Sequence, residues 1–218
     1  MNSGTITEEG IWLSHMAANA PVQARRALFL DRDGVLVEEV NYLHRVSDVR
    51  LQRGAAALVR WANGHTIPVV VVTNQSGIDR GMFGWPEFEA VQQEIAGHLA
   101  AEGARLDMTV ACPYHPEHTP GWGQRHAYWR KPGRGMLDFA IKRLNLLSNS
   151  SWMVGDNESD VAAARDAGLA GAVHVMTGHG ATFRTAALSM NGPDFAVLPA
   201  EDLEKALSLL QSRFVAGQ

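Results

Sequence analysis

A chain of 218 residues that is 46% apolar and 19% charged has an ordinary globular composition, with enough length for one α/β domain and a core of useful size. The formal net charge of -4 argues against a general nucleic-acid binder but leaves anionic small substrates open, because local charge in a cleft decides that. No apolar stretch nears the ~18 residues of a membrane span, the acidic start (Glu8, Glu9) is no secretory signal, and the lone Cys112 forms no internal disulfide, so a cytoplasmic protein is expected.

Residues 1–25 show little periodicity and read as an N-terminal arm that Ile11, Trp12 and Leu13 tack onto the body; residues 26–218 read as a single domain. Ala27 to Leu30 form a short buried strand, and Asp31, Arg32, Asp33 and Gly34 follow it. Side chains at i and i+2 of a strand point the same way, so Asp31 and Asp33 share one site if the strand continues. Two such carboxylates repel and call for a hard cation such as Mg²⁺, and a metal-bound Asp can attack phosphorus. An acidic turn is the other reading of the same octapeptide.

Residues 55–62 are helical, and Gly64 with Pro68 punctuates before Val69 to Val72, the pattern of a strand buried on both faces. After it come Thr73, Asn74, Gln75, Ser76 and Gly77, short hydrogen-bonding groups that suit either a phosphate cradle or a plain loop. Pro86 opens a helix with Phe88, Val91, Ile95 and Leu99 in helical spacing, closed by Gly103. Met108 to Ala111 is a strand that runs into a long irregular segment, residues 112–134, holding the basic pair Arg130 and Lys131. That pair is a solvated surface or an anion contact. Residues 136–144 return to helix, and Trp152 to Gly155 to strand. Asp156 then stands where it can complete a Mg²⁺ site, with Asp160 placed to stabilise the helix that runs to Ala167. Outer strands at 173–175 and 195–197 and a last helix from about Glu201 complete the chain. Alternation of this kind predicts a parallel sheet covered by helices on both faces, with ligands at the carboxyl ends of the strands.

Four short motifs therefore stand at four strand ends, and their order resembles the haloacid dehalogenase-like (HAD) phosphatases: Asp-x-Asp, a Thr after the second strand, a Lys, and a late Gly-Asp-x-x-x-Asp. The segments Phe29 to Gly34, Val72 to Ile78 with Arg80 and Gly81, Cys112-Pro113, Arg130 to Pro132 with Gly135-Met136, and Met153 to Asp156 are similar to one branch, the heptose-bisphosphate phosphatases and related histidinol-phosphatases. The resemblance implies a three-layer Rossmann-like fold and a Mg²⁺-dependent phosphomonoesterase. Asp31 is then the nucleophile, Asp33 the acid/base, and Thr73 and Lys131 stabilise the phosphoryl oxygens. Mg²⁺ sits on Asp31, the Asp33 carbonyl and Asp156. Asn74, Gln75, Ser76, Arg80 and Arg130 contact the substrate, and Arg45, Arg80 or Arg125 could meet a second phosphate. Only residues 34–68 separate Asp33 from the Val run, and only 74–130 separate Thr73 from Lys131, so the enzyme should be capless, with recognition left to loops 35–47, 77–85 and 112–129.

The branch commonly holds a structural zinc through Cys-x-His and Cys-x-Cys, but those positions here are Cys112, Tyr114, Ala127 and Trp129. Structural zinc wants four N or S ligands, so none is expected, with Trp122, Tyr128 and Trp129 packing the loop instead; Cys112, His115, His118 and His126 form a conceivable substitute set. Asn157 stands where close relatives often carry Lys. The leading expectation is removal of the 7-phosphate of D-glycero-D-manno-heptose 1,7-bisphosphate by a monomer that binds no nucleic acid or membrane. Histidinol-phosphate hydrolysis and a non-catalytic phosphosugar-binding module are the alternatives.

Overall fold

Alternate residues of each central strand face opposite sides of the sheet, and the core divides accordingly. A computed structural model describes residues 4–15 and 23–215; residues 1–3 and 16–22 of the N-terminal arm lie outside the described residues. Strands β1 (Thr5–Ile6), β2 (Trp12–His15), β3 (Leu28–Leu30), β4 (Val69–Asn74), β5 (Met108–Cys112), β6 (Trp152–Gly155), β7 (Gly171–His174) and β8 (Ala196–Pro199) form one sheet in the order β1-β2-β5-β4-β3-β6-β7-β8. Leu28, Leu30, Val69 and Val71 enter one core cluster, while Phe29, Val70 and Val72 enter the other.

The chain builds outward from β3 twice. It first runs through α1 (Ala55–Gly64) and α2 (Trp85–Ala101) to β4 and β5, and later through α5 (Glu158–Asp166) and α6 (Gly180–Ser189) from β6 to β8. Right-handed crossovers in opposite directions place their helices on opposite faces. Accordingly Leu58, Val59, Val91 and Ile95 of α1 and α2 pack on one side, joined by Leu210 of α7 (Leu203–Val215). Met136 and Ala140 of α4 (Gly135–Leu144), with Val161 of α5 and Ala187 of α6, cover the other. The reversal of direction falls between β3 and β6, where strand ends diverge and leave a crevice. No domain is inserted between β3 and β5, so the crevice is open and the fold is capless.

Three local features differ from the sequence-based expectation. The N-terminal arm contributes two strands: β2 pairs antiparallel with β5, Trp12 opposite Ala111, so this edge of the sheet is antiparallel. Four residues carry no readable period, although Gly10 at φ +74° marks the turn before them; pairing with β5 supplies the order. Residues 112–134 hold a short helix, α3 (Gln124–Trp129). Helix α6 carries little sequence signal, because Gly180, Thr182 and Thr185 are weak helix formers and its buried side is small, Gly180 and Ala187. Among the described residues no helix is long and apolar enough to cross a membrane.

Candidate active site

Strand β3 ends at Leu30, so the two carboxylates that follow leave strand geometry and part company. Asp31 turns towards Lys131, whose Nζ lies 2.7 Å from its Oδ1. Asp33 turns the other way, to Arg32: its Oδ1 accepts from Arg32 Nη2 at 2.8 Å and its Oδ2 from Gln75 Nε2 at 2.9 Å. The two carboxylates still line one cleft, but each has its own partners, because a turn at residues 32–36 replaces the period-2 strand. Gly34 makes the turn possible: its φ is +78°, and a Cβ there would sit 2.6 Å from Asp156 Oδ2.

The partner of Asp31 is instead the end of β6. Asp156 is 2% exposed, and the Asp31, Asp156 and Asp160 carboxylates bring one oxygen each within 4.8 Å of one another. Lys131 Nζ is also 2.6 Å from Asp160 Oδ1. The other oxygen of Asp160 accepts from the Asn157 N–H at 3.0 Å, and Asn157 Oδ1 accepts from Ser159 N, a reciprocal cap on α5. Asp160 therefore does both things its position permits, capping the helix and pairing with the buried ammonium. Only the first is legible from its place in the sequence.

Two buried carboxylates, Asp156 and Asp160, and the partly exposed Asp31 face one ammonium. Burial first, then repulsion from Asp160 and Asp33, pushes Asp31 up to about 7 against the pull of Lys131. Burial and repulsion from Asp31 and Asp160 push Asp156 up to about 8. The two carboxylates raise Lys131 above its ordinary value despite its burial. A hard divalent cation would balance the charge of this donor set, so the residues present fit Mg²⁺.

The remaining expected site residues divide. Thr73, Asn74, Gln75, Ser76, Arg130 and Lys131 all line an open cleft of about 520 Å³ with Asp31, Asp33 and Asp156. Asn74 and Lys131 exchange backbone–side-chain hydrogen bonds, both 3.0 Å, which pin the lysine loop to the end of β4. Gln75 is turned inward, donating to Asp33 and to Thr73 Oγ1 at 2.8 Å. Arg80 does not line the cleft; its Nη2 donates to His115 Nε2 at 2.8 Å, and Arg45 is exposed elsewhere. Glu39, Asn41 and Tyr42 also line it, from the loop 35–47 expected to take part in recognition, as do His179 and Phe183 from the start of α6, which the sequence does not single out. The His179 N–H donates to Asp156 Oδ2 at 2.6 Å, and Glu39, half-buried near Asp33, titrates above its ordinary range. Only helical spacing in the unrecognised α6 could have signalled Phe183.

The long loop is tied by side chains. Arg130 Nη1 donates to the Tyr114 carbonyl at 2.9 Å, the Tyr114 hydroxyl donates to the Glu9 carbonyl, and Tyr114 meets His126 edge-on. Burial pushes the Cys112 thiol up to about 12. The groups whose ligand atoms gather among the described residues are His115, Glu117 and His118, and the aspartate trio above; the substitute set of Cys112, His115, His118 and His126 is not assembled.

Comparison with known proteins adds a lineage. A HAD-hydrolase-like family model matches residues 128–206. The D-glycero-beta-D-manno-heptose-1,7-bisphosphate 7-phosphatase of Mesorhizobium japonicum is 40% identical over 165 residues, covering 76% of each chain. The enzyme of that name from Rhodopseudomonas palustris is 38% identical over 156 residues, 72% of this chain and 86% of that one. Among solved structures, a protein described as a HAD-like phosphatase from Mesorhizobium loti superposes with a TM-score of 0.82 at 35% identity, covering 97% of both chains. The D,D-heptose 1,7-bisphosphate phosphatase of B. bronchiseptica, solved with magnesium and phosphate, gives 0.73 at 28% identity, covering 86% of this chain and 98% of that one.

Proposed function

The chain belongs to the HAD-like phosphatases, in the branch of the heptose-1,7-bisphosphate 7-phosphatases, and we propose that it removes the 7-phosphate of D-glycero-D-manno-heptose 1,7-bisphosphate through an aspartyl-phosphate on Asp31. The observation that carries this reading is Lys131 Nζ lodged between Asp31 and Asp160 beside Asp156 at the open end of the sheet.

In the first step a carboxylate oxygen of Asp31 bonds to phosphorus, the phosphorus–oxygen bond to the sugar breaks, and Asp33 gives its proton to the leaving oxygen. In the second, Asp33 takes a proton from water as that water bonds to phosphorus, and the bond to Asp31 breaks. Acid/base help of this kind is worth ~10²–10⁴-fold in rate. Lys131 fixes the rotation of the Asp31 carboxylate and meets the phosphoryl oxygens, and Thr73 donates a hydrogen bond to them. Mg²⁺, held by Asp31, Asp156 and the Asp33 carbonyl, would neutralise charge on the phosphate and the nucleophile when bound. Arg130 and Ser76 line the cleft on the side left for the sugar, while Asn74 holds the lysine loop in place through the Lys131 backbone. The buried lone cysteine suits the reducing cytoplasm, and the chain is read as acting as a monomer.

With Mg²⁺, the wild type should release phosphate from heptose 1,7-bisphosphate, either anomer, at least 100-fold faster in kcat/KM than from histidinol phosphate. The reverse preference would move the chain to the histidinol-phosphatase reading, and no release from either would remove the phosphatase reading altogether.

The same carboxylates predict a linkage to pH. Asp31 and Asp156 titrate near 7 and 8 in the folded protein, and near 4 when unfolded. Between those values the folded state binds more protons, so without a divalent cation stability falls as pH rises from about 5 to 8. Cation binding displaces those protons and tightens over the same window. The rise in Tm caused by a fixed Mg²⁺ concentration should therefore be larger at pH 8 than at pH 6; an equal or smaller rise would contradict these ligands.

A further inference from the structure

Arg32, between the two aspartates of the first motif, is fully buried, although nothing in the chemistry above employs it. A guanidinium inside a protein is costly unless it is paired, and an apolar side chain of similar size is often as stable in its place. Its bonds go to the site. Nη2 donates to Asp33 Oδ1 at 2.8 Å and to Gln75 Oε1 at 3.1 Å, and Nε lies 3.1 Å from both Asp33 oxygens. Gln75 closes the ring through its Nε2, which reaches Asp33 Oδ2 at 2.9 Å and Thr73 Oγ1 at 2.8 Å. The guanidinium carbon lies 5.3 Å from the centre of the Phe88 ring, and Trp12 of the N-terminal strand meets that ring edge-on at 5.0 Å. A planar fork backed by an aromatic face has little rotational freedom, and a carboxylate gripped at both oxygens has little more.

We propose that Arg32, steadied by Phe88 and joined by Gln75, is a positioning residue that sets the direction in which Asp33 meets the leaving oxygen. The inference rests on the phosphatase reading. It explains why Asp33 shares no contact with Lys131 although it stands two residues from Asp31. The clamp turns the acid/base away from the nucleophile and its ammonium, towards the side of the cleft formed by Thr73 and Gln75.

The test exploits the leaving group. kcat/KM reports steps up to formation of the aspartyl-phosphate, and p-nitrophenyl phosphate expels a phenolate that needs no proton, whereas a sugar phosphate expels an alkoxide that does. Arg32→Met should lower kcat/KM for the heptose bisphosphate by about 100-fold, the scale of general-acid help, with KM changed less than threefold. The loss for p-nitrophenyl phosphate should be at least tenfold smaller. In an Asp33→Asn background the same substitution should add less than about threefold, since neighbours that act as a unit are non-additive. Gln75→Leu and Phe88→Leu, which keep the buried ion pair, should show the same leaving-group dependence at about tenfold, and they carry the test if Arg32→Met does not fold. Equal losses on both substrates, or full additivity with Asp33→Asn, would reduce Arg32 to a structural ion pair. Wild type that turns over neither substrate would signal failure of the phosphatase reading, which is distinct from failure of the clamp.

Discussion

Asp31→Asn should abolish turnover, by at least ~10⁴-fold in kcat, the range seen when a nucleophile is removed from machinery that acts as a unit. The amide matches the carboxylate in shape and can still accept from Lys131 Nζ, so the variant keeps its fold, but its oxygen is a poor nucleophile towards phosphorus. The stability change has an unusual sign for an active-site aspartate. Burial and repulsion hold Asp31 up near 7, so at pH 8 its ionised form destabilises the cation-free protein. The variant should therefore melt no lower than wild type at pH 8 without Mg²⁺, and higher if the repulsion is relieved. It should also lose most of the Tm gain from Mg²⁺. Residual phosphate release within 100-fold of wild type would assign the nucleophile elsewhere, and a large fall in Tm would contradict the charge excess described for the site.

Lys131→Met should show the opposite pattern. Its ammonium is 2.7 Å from Asp31 and 2.6 Å from Asp160, with 2% of the side chain exposed. Removing one member of a buried pair leaves uncompensated charge and costs about 3–5 kcal/mol. The sign follows from a pKa raised above its unfolded value: the stabilisation is in place throughout the neutral range and is lost only in strong alkali, so the deficit appears at pH 7. It should shrink towards pH 6, where Asp31 can take up a proton. Turnover should fall about 10³-fold even with saturating Mg²⁺, because the cation restores charge balance but not the donor aimed at the phosphoryl oxygens. Thermal melts at pH 6 and pH 7 with and without Mg²⁺, alongside steady-state rates, check both halves. A variant as stable as wild type would show that Asp31 and Asp160 need no partner here.

Much of this site was legible because its parts are local. Asp31, Thr73 and Asp156 each stand at or just after the end of a short apolar strand, and an open parallel sheet gathers such ends into one crevice, to which Lys131 returns at the end of the long loop after β5. Less was legible where a residue's role depends on a neighbour distant in sequence. Gln75 reads as one more polar group in a loop, yet the fold turns it away from a substrate and onto Asp33. Arg80 reads as a cation available to a phosphate, yet it reaches His115 across a different loop. Tyr114, in a position where the branch commonly has a histidine, becomes the tie between the long loop and the N-terminal hairpin, with Arg130 hung from its carbonyl.

The sequence by itself determined the layering of the sheet, the order of the strand-end motifs and the absence of a cap, because these follow from periodicity, punctuation and the short intervals between strands. Tertiary structure alone decided that two aspartates two residues apart face different partners, that Asp160 meets Lys131, and that an arm without pattern completes the sheet edge behind Phe88. Each of these turns on where a chain bends after its last hydrogen-bonded strand residue and on which distant element then fills the space. Those are packing outcomes between segments far apart in the chain, and local residue preferences do not encode them.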